Sequence, residues 1–199
     1  MADSADSSCH KEAVNYALKV VAKENLTLKD QQLKIINLVT VEKRDVMAVL
    51  PTGFGKSLVY QIMAPFAEFM KCGHKPTADT VNSVVLVISP LNALIRDQVS
   101  KLRASGLKAC ILKADRVVLD DEDDDGEQVS LSSAEPLESL KNFQLIFAHP
   151  EALVENKRVM KILKTPEFQN RLIAIVVDEA HLVVDWYVNV ALQGMFTNM

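Results

Sequence analysis

Four reactive side chains lie shortly after apolar runs at two distant points of the chain. Lys56 and Ser57 close the stretch Leu-Pro-Thr-Gly-Phe-Gly-Lys-Ser, which follows Val-Met-Ala-Val. Asp178 and Glu179 follow the run Leu-Ile-Ala-Ile-Val-Val. An ammonium group and a hydroxyl at one point, with two carboxylates at the other, could together hold a polyphosphate and a divalent cation.

The stretch from residue 50 to residue 57 is typical of a phosphate-binding loop. The apolar run 46–50 before it predicts a buried strand, and the mostly apolar residues 58–70 after it predict a helix. Backbone N–H groups at the start of that helix would converge on one spot, where the helix dipole adds positive charge. Lys56 would reach terminal phosphates and Ser57 would take a place on Mg²⁺, which predicts a nucleoside triphosphate site. The alternative is a glycine-containing turn with an exposed lysine.

The composition is that of an ordinary globular domain. The chain has 199 residues, of which 49% are hydrophobic and 24% are charged. The net charge is −4, so any contact with nucleic acid would have to come from a local surface. Three widely spaced cysteines form no metal or disulfide pattern, which favours a reducing compartment. We find no signal peptide order and no apolar run of about 18 residues, so we expect a soluble intracellular protein without a membrane partner.

Helical and strand patterns alternate along the chain. Helices are predicted over residues 9–25, 28–41, 57–71, 92–104, 133–142 and 150–163, with a kink or break at Pro65. Strands are predicted over residues 46–50, 83–89, 108–112, 144–148 and 172–177. This alternation predicts an α/β fold with a parallel sheet and helices on both faces. Ligands bind such sheets at the carboxyl ends of the strands, so the loop at 50–57 and the pair Asp178-Glu179 should meet.

The two carboxylates would have separate tasks, because adjacent side chains after a strand point in different directions. Asp178 is the candidate to position Mg²⁺ through water, opposite Ser57. Glu179 would orient or deprotonate an attacking water. His181 would couple this site to the rest of the domain. The alternatives are a surface Asp-Glu pair that closes a strand and a surface histidine.

Residues 120–127, Asp-Asp-Glu-Asp-Asp-Asp-Gly-Glu, form an acidic run. Its spacing fits the first half of a calcium-binding loop. Ser132 then stands where such a loop needs a bidentate glutamate. Repulsion among the carboxylates favours a solvated insertion over residues 115–133.

Five segments resemble motifs of one helicase family. Asp-Glu-Ala-His at 178–181 resembles motif II of the DEAH-type superfamily 2 helicases. Leu-Pro-Thr-Gly-Phe-Gly-Lys-Ser-Leu-Val-Tyr-Gln at 50–61 resembles motif I of the RecQ family. Ser-Pro-Leu-Asn-Ala-Leu-Ile-Arg-Asp-Gln-Val at 89–99 and Phe-Ala-His-Pro-Glu-Ala-Leu at 147–153 resemble motifs Ia and Ib, and Leu-Lys-Asp-Gln-Gln at 28–32 resembles the adenine-reading motif 0. The chain thus resembles the N-terminal RecA-like ATP-binding domain of a RecQ-family DNA helicase, which implies a P-loop NTPase fold.

The resemblance implies ATP and Mg²⁺ as cofactors and single-stranded or partly duplex DNA as a partner, with DNA repair and, in a eukaryote, a nuclear location. The residues implied in ATP binding are Gln32, Thr52, Gly53, Phe54, Gly55, Lys56 and Ser57. Those implied in catalysis are Lys56, Asp178, Glu179 and His181. Those implied on Mg²⁺ are Ser57 and Asp178. Those implied along the single-strand path are Ser89, Asn92, Arg96, His149, Glu151 and Trp186.

The chain departs from the family pattern at several positions. Leu50 stands where the strict loop pattern has glycine, and Phe54 replaces a common glycine. His149 replaces a small residue, and the polar and basic residues expected beyond Trp186 are missing. The sequence ends at Met199, before a motif III or a second RecA-like domain. We therefore expect a disordered tail at 1–8, an ATP-binding domain at 9–187 and an atypical truncated tail at 188–199.

The intact family couples ATP hydrolysis to 3'-5' DNA unwinding, but the present chain lacks the second domain's arginine. Such an arginine is worth on the order of 10³–10⁵ in rate. We expect the chain alone to bind ATP and single-stranded DNA, to hydrolyse ATP very slowly and not to unwind, which leaves its status as an enzyme open. The alternative is a non-catalytic nucleotide- or nucleic-acid-binding module derived from a helicase. A small-molecule P-loop kinase is a third hypothesis, against which the Asp-Glu-Ala-His run argues.

Overall fold

The computed structural model describes residues 2–22, 26–73, 76, 82–112, 117–118, 134–135, 137–154 and 157–181. The acidic run at 120–127, Trp186 and the segment 188–199 lie outside the described residues. The helices are α1 (Ala2–Val21), α2 (Asp30–Thr40), α3 (Lys56–Cys72), α4 (Asn92–Ala104), α5 (Pro150–Val154), α6 (Lys157–Leu163) and α7 (Pro166–Gln169), with a 3₁₀ helix at Leu137–Asn142. The strands are β1 (Val84–Ile88), β2 (Ala109–Leu112), β3 (Val117–Val118), β4 (Ala134–Glu135), β5 (Leu145–Ala148) and β6 (Leu172–Val177).

The described strands form one sheet in the order β4-β3-β2-β5-β1-β6. Strands β2, β5, β1 and β6 run parallel, while β3 and β4 add two short antiparallel strands beside β2. In the centre, Leu86 of β1 pairs with Ile146 of β5 on one side and with Ile175 of β6 on the other. The predicted α/β class with a parallel sheet is confirmed, and the parallel strands all present their carboxyl ends at one edge.

Helices cover both faces of this sheet, as predicted. On one face, the apolar cluster joins α1, α3 and α4 to the strands through residues such as Ala17, Phe66 and Val99. On the other face, the cluster joins the 3₁₀ helix, α6 and α7 to the strands and includes Leu140 and Phe168. Because both faces are covered, β1, β2 and β5 are buried almost throughout, and this is why they read as continuous apolar runs.

Helix α1 packs against α3 through side chains small enough for close approach. Ala13 and Ala17 are completely buried there. His10 hydrogen-bonds to Asn37 of α2, and its ring meets Phe66 edge-on at 5.2 Å. The helix begins at Ala2, whereas the sequence predicted a disordered tail over residues 1–8. Extending a helix that is already nucleated costs little, which accounts for the difference. None of the described helices is long and apolar enough to cross a bilayer.

Residues 46–50 are irregular, so the predicted first central strand is wrong. Met47 and Val49 are 91% and 90% exposed. A cavity of about 330 Å³ lies between this segment and β6, with Leu50 among its lining residues on one side and Ile175 on the other. A strand needs hydrogen-bonding partners for its backbone as well as apolar side chains, and the described residues supply none on this side of β6.

Three other boundaries differ from the prediction. Helix α3 continues through Pro65 to Cys72, so the proline does not end it. An interior proline costs about 3 kcal/mol, which the nearly continuous burial of α3 from Val59 to Phe69 offsets. Residues 133–142 contain β4 and the 3₁₀ helix instead of one α-helix, since the residue before Pro136 favours an extended backbone. The predicted helix at 150–163 is two helices, α5 and α6.

A buried polar cluster ties α3 to the amino-terminal ends of the central strands. Glu68 of α3 is 1% exposed. Its carboxylate accepts hydrogen bonds from the Ser83 backbone N–H at 3.1 Å and from Gln144 Nε2 at 2.9 Å. Nearby, Arg171 Nη2 donates to the Phe143 carbonyl at 3.0 Å. Burial raises the pKa of Glu68 above its ordinary value, although the hydrogen bonds from Ser83 and Gln144 act in the opposite direction.

Candidate nucleotide-binding site

The loop at residues 51–55 turns the chain into α3. Gly53 and Gly55 have φ angles of +75° and +87°, a left-handed backbone that side chains with a Cβ rarely adopt. Gly55 is the N-terminal cap of α3, so no side chain covers the first N–H groups of the helix. Thr52 is exposed beside them, and Lys56 and Ser57 are half-buried in the first turn. The result is an open helix N-terminus, which is a ready-made anion site.

Gln32 of α2 holds this loop in place through hydrogen bonds. It is 2% exposed, and its Nε2 donates to the carbonyl oxygens of Phe54 at 3.0 Å and Gly55 at 3.1 Å. Its Oε1 accepts from the Lys29 backbone N–H at 2.9 Å. The Lys29 ammonium lies 4.1 Å from the centre of the Phe54 ring, a cation–π contact. The side-chain amide of Gln32 therefore donates its hydrogen bonds to the loop. The predicted role of Gln32 in reading adenine stays a prediction, and it would require the amide to leave these carbonyls for the base.

Asp178 is fixed at the carboxyl end of β6. Its backbone N–H donates to the Ile88 carbonyl at 2.9 Å, which extends the pairing of β6 with β1 by one residue. The carboxyl group is buried, with 9% of the residue exposed. One oxygen accepts from the Tyr60 hydroxyl at 3.1 Å and the other from the Glu179 N–H at 3.0 Å. These contacts hold Asp178 rigidly beside the first turns of α3.

Glu179 links the phosphate loop to His181. Its Oε1 lies 4.0 Å from Lys56 Nζ, and its Oε2 lies 3.2 Å from His181 Nδ1. Its φ angle is +52°, in the left-handed region where a residue other than glycine is strained. A partly exposed ion pair at 4.0 Å contributes little to stability. The sequence predicted that the two distant segments would meet, and the structure brings Lys56, Asp178 and Glu179 together.

Tyr60 lies at the centre of this arrangement. Its hydroxyl lies 2.8 Å from Gln98 Oε1 of α4 and 3.1 Å from Asp178 Oδ2. Burial raises the pKa of Tyr60 well above its ordinary value; a hydrogen bond from Ser57 lowers it, and the charge of Asp178 raises it further. The motif I and motif Ia resemblances include Tyr60 and Gln98, but the sequence assigned neither residue a role. The available signal was the spacing of Tyr60, one helical turn after Ser57.

The donor atoms at this site suit Mg²⁺. The Ser57 hydroxyl and the Asp178 carboxylate are hard oxygen ligands, and Mg²⁺ in nucleotide sites takes one or two such protein ligands together with phosphate and water. No group of three or more histidine, cysteine, aspartate or glutamate side chains in the described part of the chain could hold a metal ion. The residues present thus fit a cation that a nucleotide brings with it better than a cation held by the protein alone.

The predicted single-strand path is brought together only in part. Asn92 is exposed at the first residue of α4, and Arg96 is half-buried one turn later. His149 Nε2 lies 3.2 Å from the Pro90 carbonyl, and His149 Nδ1 lies 3.5 Å from Glu151 Oε2, which places motif Ib beside motif Ia. Ser89 is only 2% exposed, so its hydroxyl is not presented at this surface. Trp186 lies outside the described residues.

Comparison with known proteins identifies the family. Residues 29–199 match the DEAD/DEAH box helicase family. The chain belongs to this family. Membership in this family implies the use of ATP.

Relatives of this DEAD/DEAH box helicase domain carry RecQ-type names. The chain is 32% identical over 155 residues to the ATP-dependent DNA helicase Q1 of Mus musculus, which covers 78% of the chain and 20% of that protein. It is 30% identical over 162 residues to the ATP-dependent DNA helicase Q-like 4B of Arabidopsis thaliana, covering 81% and 12%. It is 32% identical over 149 residues to the ATP-dependent DNA helicase RecQ of a Synechocystis strain, covering 72% and 24%. The chain thus spans a quarter or less of the length of these curated relatives.

Proposed function

We propose that this chain is a RecQ-like helicase ATP-binding domain that binds Mg·ATP at the loop 50–57 and single-stranded DNA near the start of α4. The observation that carries the proposal is the convergence at the carboxyl edge of the sheet. The N-terminus of α3 carries no side-chain cap, Tyr60 of α3 lies 3.1 Å from Asp178, and Lys56 Nζ lies 4.0 Å from Glu179 Oε1. Cationic and anionic groups that do not form a tight pair are available to phosphates and to a cation.

Each side chain of the site would have a distinct task. Lys56 and the N–H groups of the first turn of α3 would hold the phosphates. Ser57 and Asp178 would hold Mg²⁺, which would neutralise charge on the phosphates. Glu179 would orient or deprotonate the attacking water, and its left-handed backbone sets the direction of its side chain. His181, which contacts Glu179, would couple the ATP site to the surface that binds DNA.

For these 199 residues alone, we expect slow ATP hydrolysis and no strand separation. Unwinding requires two domains that close and open on the strand, and the described residues form one sheet. Contacts to DNA would be made mainly to backbone phosphates, which permits an acidic chain to bind it. Binding would therefore weaken as the salt concentration rises.

Equilibrium binding of a fluorescent ATP analogue with Mg²⁺ tests the nucleotide site. Lys56→Ala removes a charge-assisted contact worth about 1.5–3 kcal/mol, so affinity should fall roughly 10- to 100-fold. Lys19→Ala, at an exposed position of α1, is the matched control and should bind as the wild type does. Equal affinity of the Lys56→Ala variant and the wild type would contradict the proposal.

A second measurement addresses the nucleic acid and the reaction. We expect a single-stranded oligonucleotide to bind with salt-dependent affinity and to stimulate a slow ATPase. Strand separation driven by ATP in the purified chain would overturn the expectation that these residues do not unwind. Phosphorylation of a metabolite without DNA would instead favour a kinase.

A further inference from the structure

The Tyr60 hydroxyl joins three segments of the chain. It lies 3.1 Å from Asp178 Oδ2 at the end of β6 and 2.8 Å from Gln98 Oε1 in α4. One buried oxygen therefore contacts Asp178, which is assigned above to Mg²⁺, and the helix assigned to the DNA path.

This hydroxyl cannot satisfy both acceptors at once. A phenol carries one proton and so donates one hydrogen bond at a time. Asp178 and Gln98 are 9% and 7% exposed, so an acceptor left without a donor there loses free energy. Gln98 Oε1 has a second, longer contact with Gln61 Nε2 at 3.4 Å, which can serve it when Tyr60 donates elsewhere. The geometry thus allows two arrangements: Tyr60 donates either to Asp178 or to Gln98.

A bound cation would decide between the two arrangements. When Asp178 has no cation, its carboxylate is the more strongly attracting acceptor, because hydrogen bonds to ionised groups are stronger. If Asp178 held a cation, its carboxylate would attract the Tyr60 proton less strongly. The proton would then be available to Gln98, which lies on the buried face of α4, two residues after Arg96.

We propose that Tyr60 is a positioning residue that couples cation–nucleotide binding at Asp178 to α4 and hence to single-strand binding. The proposal rests on the proposed function of the site. The coupling is reciprocal by thermodynamic necessity: if nucleotide changes the affinity for DNA by some factor, DNA changes the affinity for nucleotide by the same factor. A coupling that depends on one hydrogen bond should amount to roughly 2- to 10-fold.

The test compares the full chain with variants that remove the hydrogen bond from either side. Tyr60→Phe removes only the hydroxyl and keeps the ring, which packs edge-on against Phe147 at 6.3 Å. Gln98→Ala removes the acceptor on α4 and serves if Tyr60→Phe does not fold. Tyr16→Phe is the matched control, since Tyr16 packs on Phe69 and does not contact the site. For each protein, the dissociation constant of a non-hydrolysable Mg·ATP analogue is measured with and without a saturating oligothymidylate.

The ratio of the two dissociation constants is the coupling factor. We expect about 2–10 in the wild type and in Tyr16→Phe, and a value near 1 in Tyr60→Phe, in Gln98→Ala and in the double variant. A wild-type ratio of 1, or an unchanged ratio in both single variants, would overturn the coupling while leaving nucleotide binding intact. Failure of the proposed function looks different, because the wild type would then bind no nucleotide or Lys56→Ala would bind it equally well. A purely structural role of Tyr60 would lower stability without changing the ratio.

Discussion

Two isoleucines flank Leu86 in the sheet, and their surroundings are opposite. Ile146 of β5 pairs with Leu86 on one side and is completely buried. Ile175 of β6 pairs with Leu86 on the other side and is 58% exposed. The residue type and the partner are the same, and the difference lies in what comes next, because β5 is followed by β2 whereas β6 is the last strand of the described sheet. Burial of a strand is therefore set by its neighbours as much as by its own apolar residues.

We call the exposed side of the sheet, formed by β6 and residues 46–50, the open side, and the candidate site lies there. Lys56 and Asp178 line the same cavity as Leu50 and Ile175. On the closed side, β1, β5 and β2 are packed on both faces and hold the framework rigid. The closed side thus positions the end of β6, and the open side leaves the reactive groups accessible to a ligand.

The largest expected effect comes from truncating the two isoleucines separately. Ile146→Ala should lower the free energy of unfolding by about 2–5 kcal/mol, since it leaves a cavity in a packed core. Ile175→Ala should cost less than about 1 kcal/mol, because most of the side chain already faces solvent. Denaturant unfolding of both variants measures the difference. Similar costs for the two substitutions would show that β6 is covered in solution and would break the comparison.

The second effect concerns the loop on the open side. In Gly55→Ala, the new Cβ would lie 2.7 Å from Gln32 Nε2, in a residue whose φ angle is +87°. The left-handed backbone alone costs about 1–2 kcal/mol. We expect the displaced Gln32 to release the loop and weaken nucleotide binding by roughly tenfold or more.

Gly106→Ala is the matched control for that substitution. Its φ angle is +96°, and nothing lies within 4 Å of the added Cβ. It should show the backbone cost in unfolding experiments and leave the nucleotide affinity unchanged. If both variants bound nucleotide as the wild type does, the contact between Gln32 and the loop would have no part in shaping the site.

The third effect is a dependence of stability on pH that arises on the closed side. Glu68 has a pKa raised by burial, so the folded state favours its protonated form. The stability that this group contributes is complete below its unfolded pKa of about 4.5 and is lost as the pH rises through the raised folded value. Relative to Glu68→Gln, the wild type should therefore lose stability across that window, with a slope of at most about 1.4 kcal/mol per pH unit. A difference between the two proteins that is constant with pH, or that grows in the opposite direction, would contradict the assignment.

The sequence predicted helices and strands well where the hydrophobic pattern of a segment alone determines its secondary structure. The bounds of α4 and β6 match the prediction, and the Gly-Lys-Ser and Asp-Glu-Ala-His runs led to residues that the fold brings together. The roles assigned to individual side chains remain predictions. Gln98, which stands in the motif Ia resemblance, and Glu68 were assigned no role, because each is a polar residue on the buried face of a helix and its partners come from distant strands and helices. The strand expected at 46–50 was wrong for the related reason that pairing depends on a neighbour that the local pattern does not report.

The smallest expected effect is also the most direct test of the open side. Val49→Thr replaces a methyl group by a hydroxyl at a position that is 90% exposed, so the free energy of unfolding should change by no more than about 0.5 kcal/mol. Val87→Thr makes the same change in β1, where Val87 is completely buried, and an unpaired buried hydroxyl should cost about 1–3 kcal/mol. If Val49→Thr instead cost as much as Val87→Thr, residues 46–50 would be buried in solution, and the cavity beside Lys56 and Asp178 would be filled by packed chain. An unchanged stability would confirm that apolar composition alone does not make this segment part of the core.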